Sequence, residues 1–476
     1  MVKNALLVSS LSLLSLTALP HAQAQRDVGE LYAQLCAACH GPKGEGGSAP
    51  SMLDEEWAHG DDDASIARII REGYLPGGMP PFGGALSDSE VRGLVVYLRE
   101  LTTDYRRTRD TLPPPSPDKV FQTEEASFRI ETVAEGVSTP WSIGWLPDGR
   151  MLFTEKNGTL RLWSETNGLD PKPIAGIPRV FAQGQGGLYD VVAHPDYDAP
   201  GNGWIYLAFS DPLEKDGRTA SLTKIIRGRL RDHALVDQET IWQGDPEDYV
   251  AGGVHWGGRL AFDGQGYLFF SHGERGRGQD AQDLTVPNGK IHRIHDNGRV
   301  PADNPFVDVP GAEPTIWTYG NRNPQGLAFD PATGLLWETE HGPRGGDELN
   351  IIERGANYGW PEVTYGMNYN GRPITETTTR PDVRDVVIHW TPSIAVCGTR
   401  FYTGDAFPAW KGNLLVGALA QMHVRRLVIE DGKVTKQEVI FSDIGRVRDV
   451  SSGPDGYIYV ALNSPDEIIR LVPAQR

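Results

Sequence analysis

The chain has 476 residues, with 63 acidic side chains against 45 Lys and Arg and a formal net charge of −18. That balance, with no basic block, excludes a surface built to hold nucleic acid or an anionic membrane. The length exceeds what a single core usually supports, so more than one domain is expected.

Lys3 precedes an apolar run from Ala5 to Leu19, and Ala22-Gln23-Ala24 supplies a small-x-small cleavage pattern. Residues 1–24 therefore read as a signal peptide cleaved near Ala24, which sends the chain to the periplasm. The run is too short for a membrane span, and no later stretch is long and apolar enough to make one.

Cys36-Ala-Ala-Cys39-His40 comes next. C-x-x-C-H is an attachment sequence for one covalent haem c: the thiols add to the vinyl groups and the histidine becomes an iron ligand. A zinc ribbon would need a second pair of ligands, and the only other cysteine is Cys397, which reads as a buried free thiol. Val28, Leu31, Tyr32 and Leu35 form one apolar helical stripe leading into the cysteines. Ser87-Asp-Ser-Glu90 is a capping box that starts a second amphipathic helix through Val91, Leu94, Val95 and Leu98. From Cys36 to Tyr105 the chain resembles a class I cytochrome c. The resemblance implies that Met79, in Gly77-Gly78-Met79-Pro80-Pro81-Phe82, is the second axial ligand, a soft donor that raises the potential and suits electron transfer. The expected small all-α domain covers 25–105, and Leu112-Pro-Pro-Pro-Ser-Pro117 marks a stiff linker over 106–124.

From 125 to 476 the character changes to short apolar strands and glycine-rich turns. One unit recurs: a strand, a tight Asp-containing turn and an apolar strand. It appears at Asp148-Gly149, Asp196, Asp263-Gly264, Asp330, Asp405 and Asp455-Gly456. Six such units predict an all-β six-bladed β-propeller, whereas a tandem of β-sandwiches would leave the shared turn unexplained.

Polar segments cluster where these strands should end, at the mouth of a central channel. They contain Gln185, His255, Glu274, Gln282, Arg322-Asn323, Glu340-His341-Gly342-Pro343, Asp347-Glu348, and Arg446 with Arg448. Together they describe a pocket for a polyanionic cofactor with a metal. The stretches N-R-N-P-Q-G-L-A-F, E-H-G-P-R-G-G-D-E, N-Y-G-W-P and R-x-R-D-V resemble the soluble pyrroloquinoline quinone (PQQ)-dependent aldose sugar dehydrogenases. That resemblance runs from about Val133 to Leu471.

The resemblance implies His255 as catalytic base, Arg322 and Asn323 as groups polarising the acceptor carbonyl, and Gln185, Arg446 and Arg448 as PQQ contacts. A further glutamine contact is Gln279 or Gln282, with the A-Q-D-L context favouring Gln282. The carbonyls of Gly342 and Pro343 would hold a Ca2+, and Glu348 with the Tyr358 carbonyl a second one. Where part of the family has a cofactor-contacting lysine, this chain has Ala420. The acidic neighbour sometimes found before the base is Val254, so Glu274 is expected to orient His255. Trp256 and Trp390 are the expected aromatics beside the substrate. The expected function is oxidation of a small sugar, with electrons passing through the haem to an external acceptor: a soluble cytochrome, a cupredoxin or a quinone-linked carrier. A non-catalytic carbohydrate- or protein-binding propeller leaves the arginines and His255 without a role. A calcium-dependent lactone hydrolase leaves the haem without one.

Overall fold

The computed structural model describes residues 26–54, 56–109 and 118–474; the expected signal peptide and the proline run at 112–117 lie outside them. The N-terminal domain is helical. Its elements are α1 (Val28–Leu35), α2 (Ala37–His40), α3 (Asp63–Glu72) and α4 (Asp88–Arg109). Asp27 and Asp62 cap α1 and α3 by accepting from the backbone N–H of Glu30 and Ser65. The capping box of α4 closes in both directions, Ser87 N–H to Glu90 Oε2 at 2.9 Å and Glu90 N–H to Ser87 Oγ at 3.2 Å. The stripes of α1 and α4 meet in one core with Ile66 and Ile70 of α3. Helix α4 runs four residues beyond the expected domain end at 105. Nothing from Glu100 to Arg109 breaks a helix, and Arg106, Arg107 and Arg109 sit favourably at its negative end.

The second domain consists of six antiparallel sheets. Blade 1 spans Pro140–Leu169, blade 2 Leu188–Gln243, blade 3 Leu260–Tyr319, blade 4 Pro324–Trp390 and blade 5 Val396–Ser442. Blade 6 takes its three inner strands from Arg446–Pro473 and its fourth from Ser127–Ala134 near the start of the domain, so the ring is closed by pairing its two ends. A two-residue strand, Phe121–Gln122, extends that edge from within the segment read as linker. Every repeated turn lies between the first and second strands of a blade. In four of them an Asp carboxylate accepts the N–H two residues on: Asp148, Asp263, Asp330 and Asp455. This Asx turn explains the recurrence.

The helical domain packs on blade 4. Met367 of the propeller is buried within the helical core. Around it, Val28 N–H donates to the Gly371 carbonyl at 3.0 Å, Ser89 N–H to Glu376 Oε2 at 2.9 Å and Arg92 Nη2 to the Thr375 carbonyl at 2.8 Å. Arg344 pairs with Glu100, its Nε 3.0 Å from Oε1. Gly345 has φ +76°, and a Cβ there would stand 2.5 Å from Val96 of α4, so this close approach requires glycine.

Candidate active site

In an antiparallel blade the start of the first strand and the end of the second lie at the same end of the sheet. That end of the propeller collects the segments singled out above. Gln185, His255 and Arg322-Asn323 enter the first strands of blades 2, 3 and 4, and Arg446 opens that of blade 6. Lys156, Glu274, His341-Gly342-Pro343 and Ala420 follow the second strands of blades 1, 3, 4 and 5.

His255 adopts φ 51°, and its N–H donates to Gln185 Oε1 at 2.9 Å. Its Nδ1 hydrogen-bonds the carboxylate of Glu274, which is buried and whose other oxygen has no partner. Glu274 thus supplies the orienting acid that Val254 does not. Burial lowers the imidazole pKa, against the opposing pull of Glu274. The ring is therefore neutral near pH 7, with Nδ1–H directed to Glu274 and the Nε2 lone pair available as a base.

Arg322 Nη1 donates to the carbonyls of His341 and Gly342 at 2.9 and 2.8 Å, and its guanidinium lies 5.1 Å from the Trp360 ring centroid. Asn323 Oδ1 accepts from Gly257 N–H at 3.2 Å and from Gln325 Nε2 at 3.3 Å. Arg448 Nη1 reaches Gln325 Oε1 and Cys397 Sγ, each at 3.2 Å, while Arg446 is exposed. Burial lowers the pKa of Arg448, and burial with Arg448 nearby lowers that of Lys156. His341 lies among these cations, its pKa pushed down to about 3 by burial and by Arg448 and Arg322. None of Lys156, Arg322, Arg446 and Arg448 forms an ion pair among the described residues, and the Nε atoms of Arg322 and Arg448 are buried without partners. Four uncompensated cations on one face repel each other and attract a polyanion.

The carbonyl of Pro343 accepts from Ser393 Oγ at 2.6 Å. Each carbonyl oxygen of Gly342 and Pro343 keeps a second lone pair, so the pair suits an oxygen-seeking cation such as calcium. No group of three or more His, Cys, Asp or Glu suited to a metal occurs among the described residues. Behind these carbonyls Glu340 pairs across the ladder with Glu348, and Glu338 with Asn350. Asn350 Nδ2 donates to Glu338 Oε2 at 3.1 Å, while Glu338 Oε1 and Asn350 Oδ1 have no partner. Burial pushes Glu340 up to about 7 and Glu338 and Glu348 well above the ordinary carboxylate range. Tyr358 is buried nearby, its hydroxyl donating to the Ile351 carbonyl at 2.5 Å.

In the helical domain Cys36 is half-buried and Cys39 exposed, both as free thiols one helical turn apart. His40 Nδ1 stands 3.4 Å from the Pro50 carbonyl, which leaves Nε2 for a metal. Met79 is held by paired backbone hydrogen bonds with Tyr74. Gly73 makes the preceding turn at φ +71°, where a Cβ would meet the Met79 carbonyl at 2.7 Å. Half-buried Leu35, Met52, Trp57 and Phe82 give the surroundings the apolar character that a haem needs.

Three expectations need adjustment. Trp256 is buried against Phe181 and Tyr189 with Arg275 over its ring, and Trp390 is buried on the outermost strand of blade 4, bonded to Gln437. Neither flanks the site; Trp360 does. The Gln282 amide is engaged with Asn357 and the Trp360 carbonyl at 2.8–3.0 Å, so it fixes the loop that carries Trp360, while Gln279 is exposed. Lys156 was not anticipated as a site residue, and His341 was placed at the pocket without a role. Lys156 and His341 share one signal, because each is the first residue after the second strand of its blade.

The glucose/sorbosone dehydrogenase family model matches residues 137–470, and that of the cbb3-type cytochrome c oxidase subunit III matches 23–98. Aldose sugar dehydrogenase YliI of Escherichia coli K12 is 42% identical over 355 residues, covering 73% of this chain and 94% of that protein. The apo crystal structure of the soluble aldose sugar dehydrogenase of Escherichia coli superposes with a TM-score of 0.68 at 39% identity, over 73% of this chain and all of the other. The PQQ-bound aldose sugar dehydrogenase of Streptomyces coelicolor gives 0.59 at 26% identity, over 76% and 99%. With that family model spanning most of the chain and a relative 42% identical, this chain belongs to the glucose/sorbosone dehydrogenase family and carries a cytochrome c domain ahead of the propeller.

Proposed function

We propose that the protein is a periplasmic quinohaemoprotein that oxidises an aldose at its anomeric carbon to the lactone, passing the electrons to its own haem c and then to an external carrier. The observation that carries this reading is the neutral His255 imidazole, held by Glu274 and set among four cations that lack carboxylate partners. PQQ is a tricarboxylate quinone whose negative groups complement those cations, and guanidinium forks bind carboxylates bidentately. Arg446 and Arg448 would hold its carboxylate and quinone oxygens, and Arg322 and Asn323 would face the oxygen on which charge develops. The carbonyls of Gly342 and Pro343 would hold a Ca2+ at the quinone, and Glu348 with the Tyr358 carbonyl a structural one.

His255 Nε2 takes the proton of the anomeric hydroxyl as the hydride leaves the same carbon, so a C=O bond forms and two electrons depart. Bound PQQ supplies the hydride acceptor. Glu274 keeps the imidazole in the required tautomer and stabilises its charged form. In the helical domain Cys36 and Cys39 would bind the haem covalently, with His40 and Met79 as axial ligands.

The test uses the haem as reporter. Protein with oxidised haem is loaded with PQQ and Ca2+ and screened with aldoses for the reduced haem absorbance band. Reduction by a sugar only when PQQ and Ca2+ are both present is expected. PQQ binding without reduction by any aldose would leave a binding module instead.

A further inference from the structure

Helix α4 crosses the site end of the propeller. Glu100 pairs with Arg344, the residue after Pro343. Two turns later the Arg107 guanidinium donates to the carbonyl of Ala420, at the end of the second strand of blade 5. The turn that it meets is fixed, since Leu419 N–H donates to Ala395 O and Ala420 N–H to Ile394 O, both at 2.9 Å. Arg107 also adds to the positive field that, after burial and Arg425, lowers the pKa of His423 to about 3.

Blade 5 stands between Arg322 of blade 4 and Arg446 and Arg448 of blade 6, yet its two loops at this end bring no cation, and its Arg425 is engaged with His423 and Gln437. Its loops to this end read Ser393-Ile394-Ala395 and Leu419-Ala420-Gln421. Arg107 is half-buried, forms no ion pair among the described residues, and one hydrogen bond leaves most of its five N–H donors uncommitted. A helix from another domain thus sets an uncompensated cation at the one sector flanked by cations on both sides.

We infer that Arg107 is a cofactor-positioning residue supplied by the haem domain, its guanidinium bonding an anionic oxygen of PQQ above blade 5. This rests on the proposed quinone site.

The test is an equilibrium titration of full-length, haem-loaded, quinone-free protein with PQQ in saturating Ca2+, read by tryptophan fluorescence. Arg107→Ala should weaken binding roughly 10- to 100-fold, as for a lost charge-assisted hydrogen bond, and Arg107→Lys less. Adding Ala420→Lys to Arg107→Ala should recover affinity. Arg92→Ala, which cuts the same interface at the Thr375 and Glu376 carbonyls, should bind as the wild type does. Wild-type affinity in Arg107→Ala, or an equal loss in Arg92→Ala, overturns the inference while leaving the quinone site standing. A wild-type protein that takes up no quinone overturns both.

Discussion

His255 is governed by two opposed influences, burial that disfavours its charged form and Glu274 that favours it, with burial dominant. A lowered pKa keeps the base active at neutral pH, so the acid limb of kcat/KM should fall below the ordinary histidine value of 6.5. Glu274→Gln removes the raising influence. The limb should then move to lower pH while kcat drops, because the tautomer and the incoming proton lose their partner; an unmoved limb would detach Glu274 from the base. His255→Gln should keep PQQ and Ca2+ but lose about 10²–10⁴ in kcat, measured by sugar-dependent haem reduction. Dithionite should still reduce the haem, since the base lies in the other domain. At the haem, Met79→Ala exchanges a soft ligand for solvent and should lower the midpoint potential. An unchanged spectrum and potential would remove Met79 from the iron.

At the scale of elements, blade 4 carries the largest electrostatic liability. Glu340 faces Glu348 across the ladder and Glu338 lies two pairs along, on the same face, all buried. Their pKa values are raised above those of the unfolded chain, so the native state binds extra protons. The stability that this cluster contributes is fully present below about pH 4.5 and is lost as pH rises through about 7, the value for Glu340. Metal-free protein should melt lower at pH 8 than at pH 5. Glu338→Gln should shrink that difference and raise Tm at pH 8 by about 2–4 °C. An equal pH slope in wild type and variant would show that Glu338 titrates alike in the folded and unfolded chain, so that burial does not raise its pKa.

Blades were readable because their marker is local, an Asp whose carboxylate closes a turn within two residues. The start of α4 was readable for the same reason, from Ser87 and Glu90. Its overrun past 105 was hidden because the proline run suggested an earlier end than the backbone takes. Lys156 and His341 could not be ranked from sequence, since only the ring brings the ends of blades 1, 4 and 6 together. Trp256 looked like a site aromatic through its place beside His255, but the chain turns at His255 and the indole enters the core against Phe181 and Tyr189.

Across the whole molecule, the haem-bearing domain is fastened beside the segment that contains Gly342 and Pro343, by Met367 in its core and by Glu100 on Arg344. Among the described residues no helix is long and apolar enough to cross a membrane. Under the proposed function, electron passage from propeller to haem would be an event within one molecule. The most direct test is anaerobic stopped-flow reduction of the haem by excess aldose in PQQ- and Ca2+-loaded protein, at protein concentrations spanning about a hundredfold. The account predicts a first-order rate that does not change with protein concentration and vanishes without PQQ. A rate proportional to protein concentration, or haem reduction that needs no quinone, would contradict it.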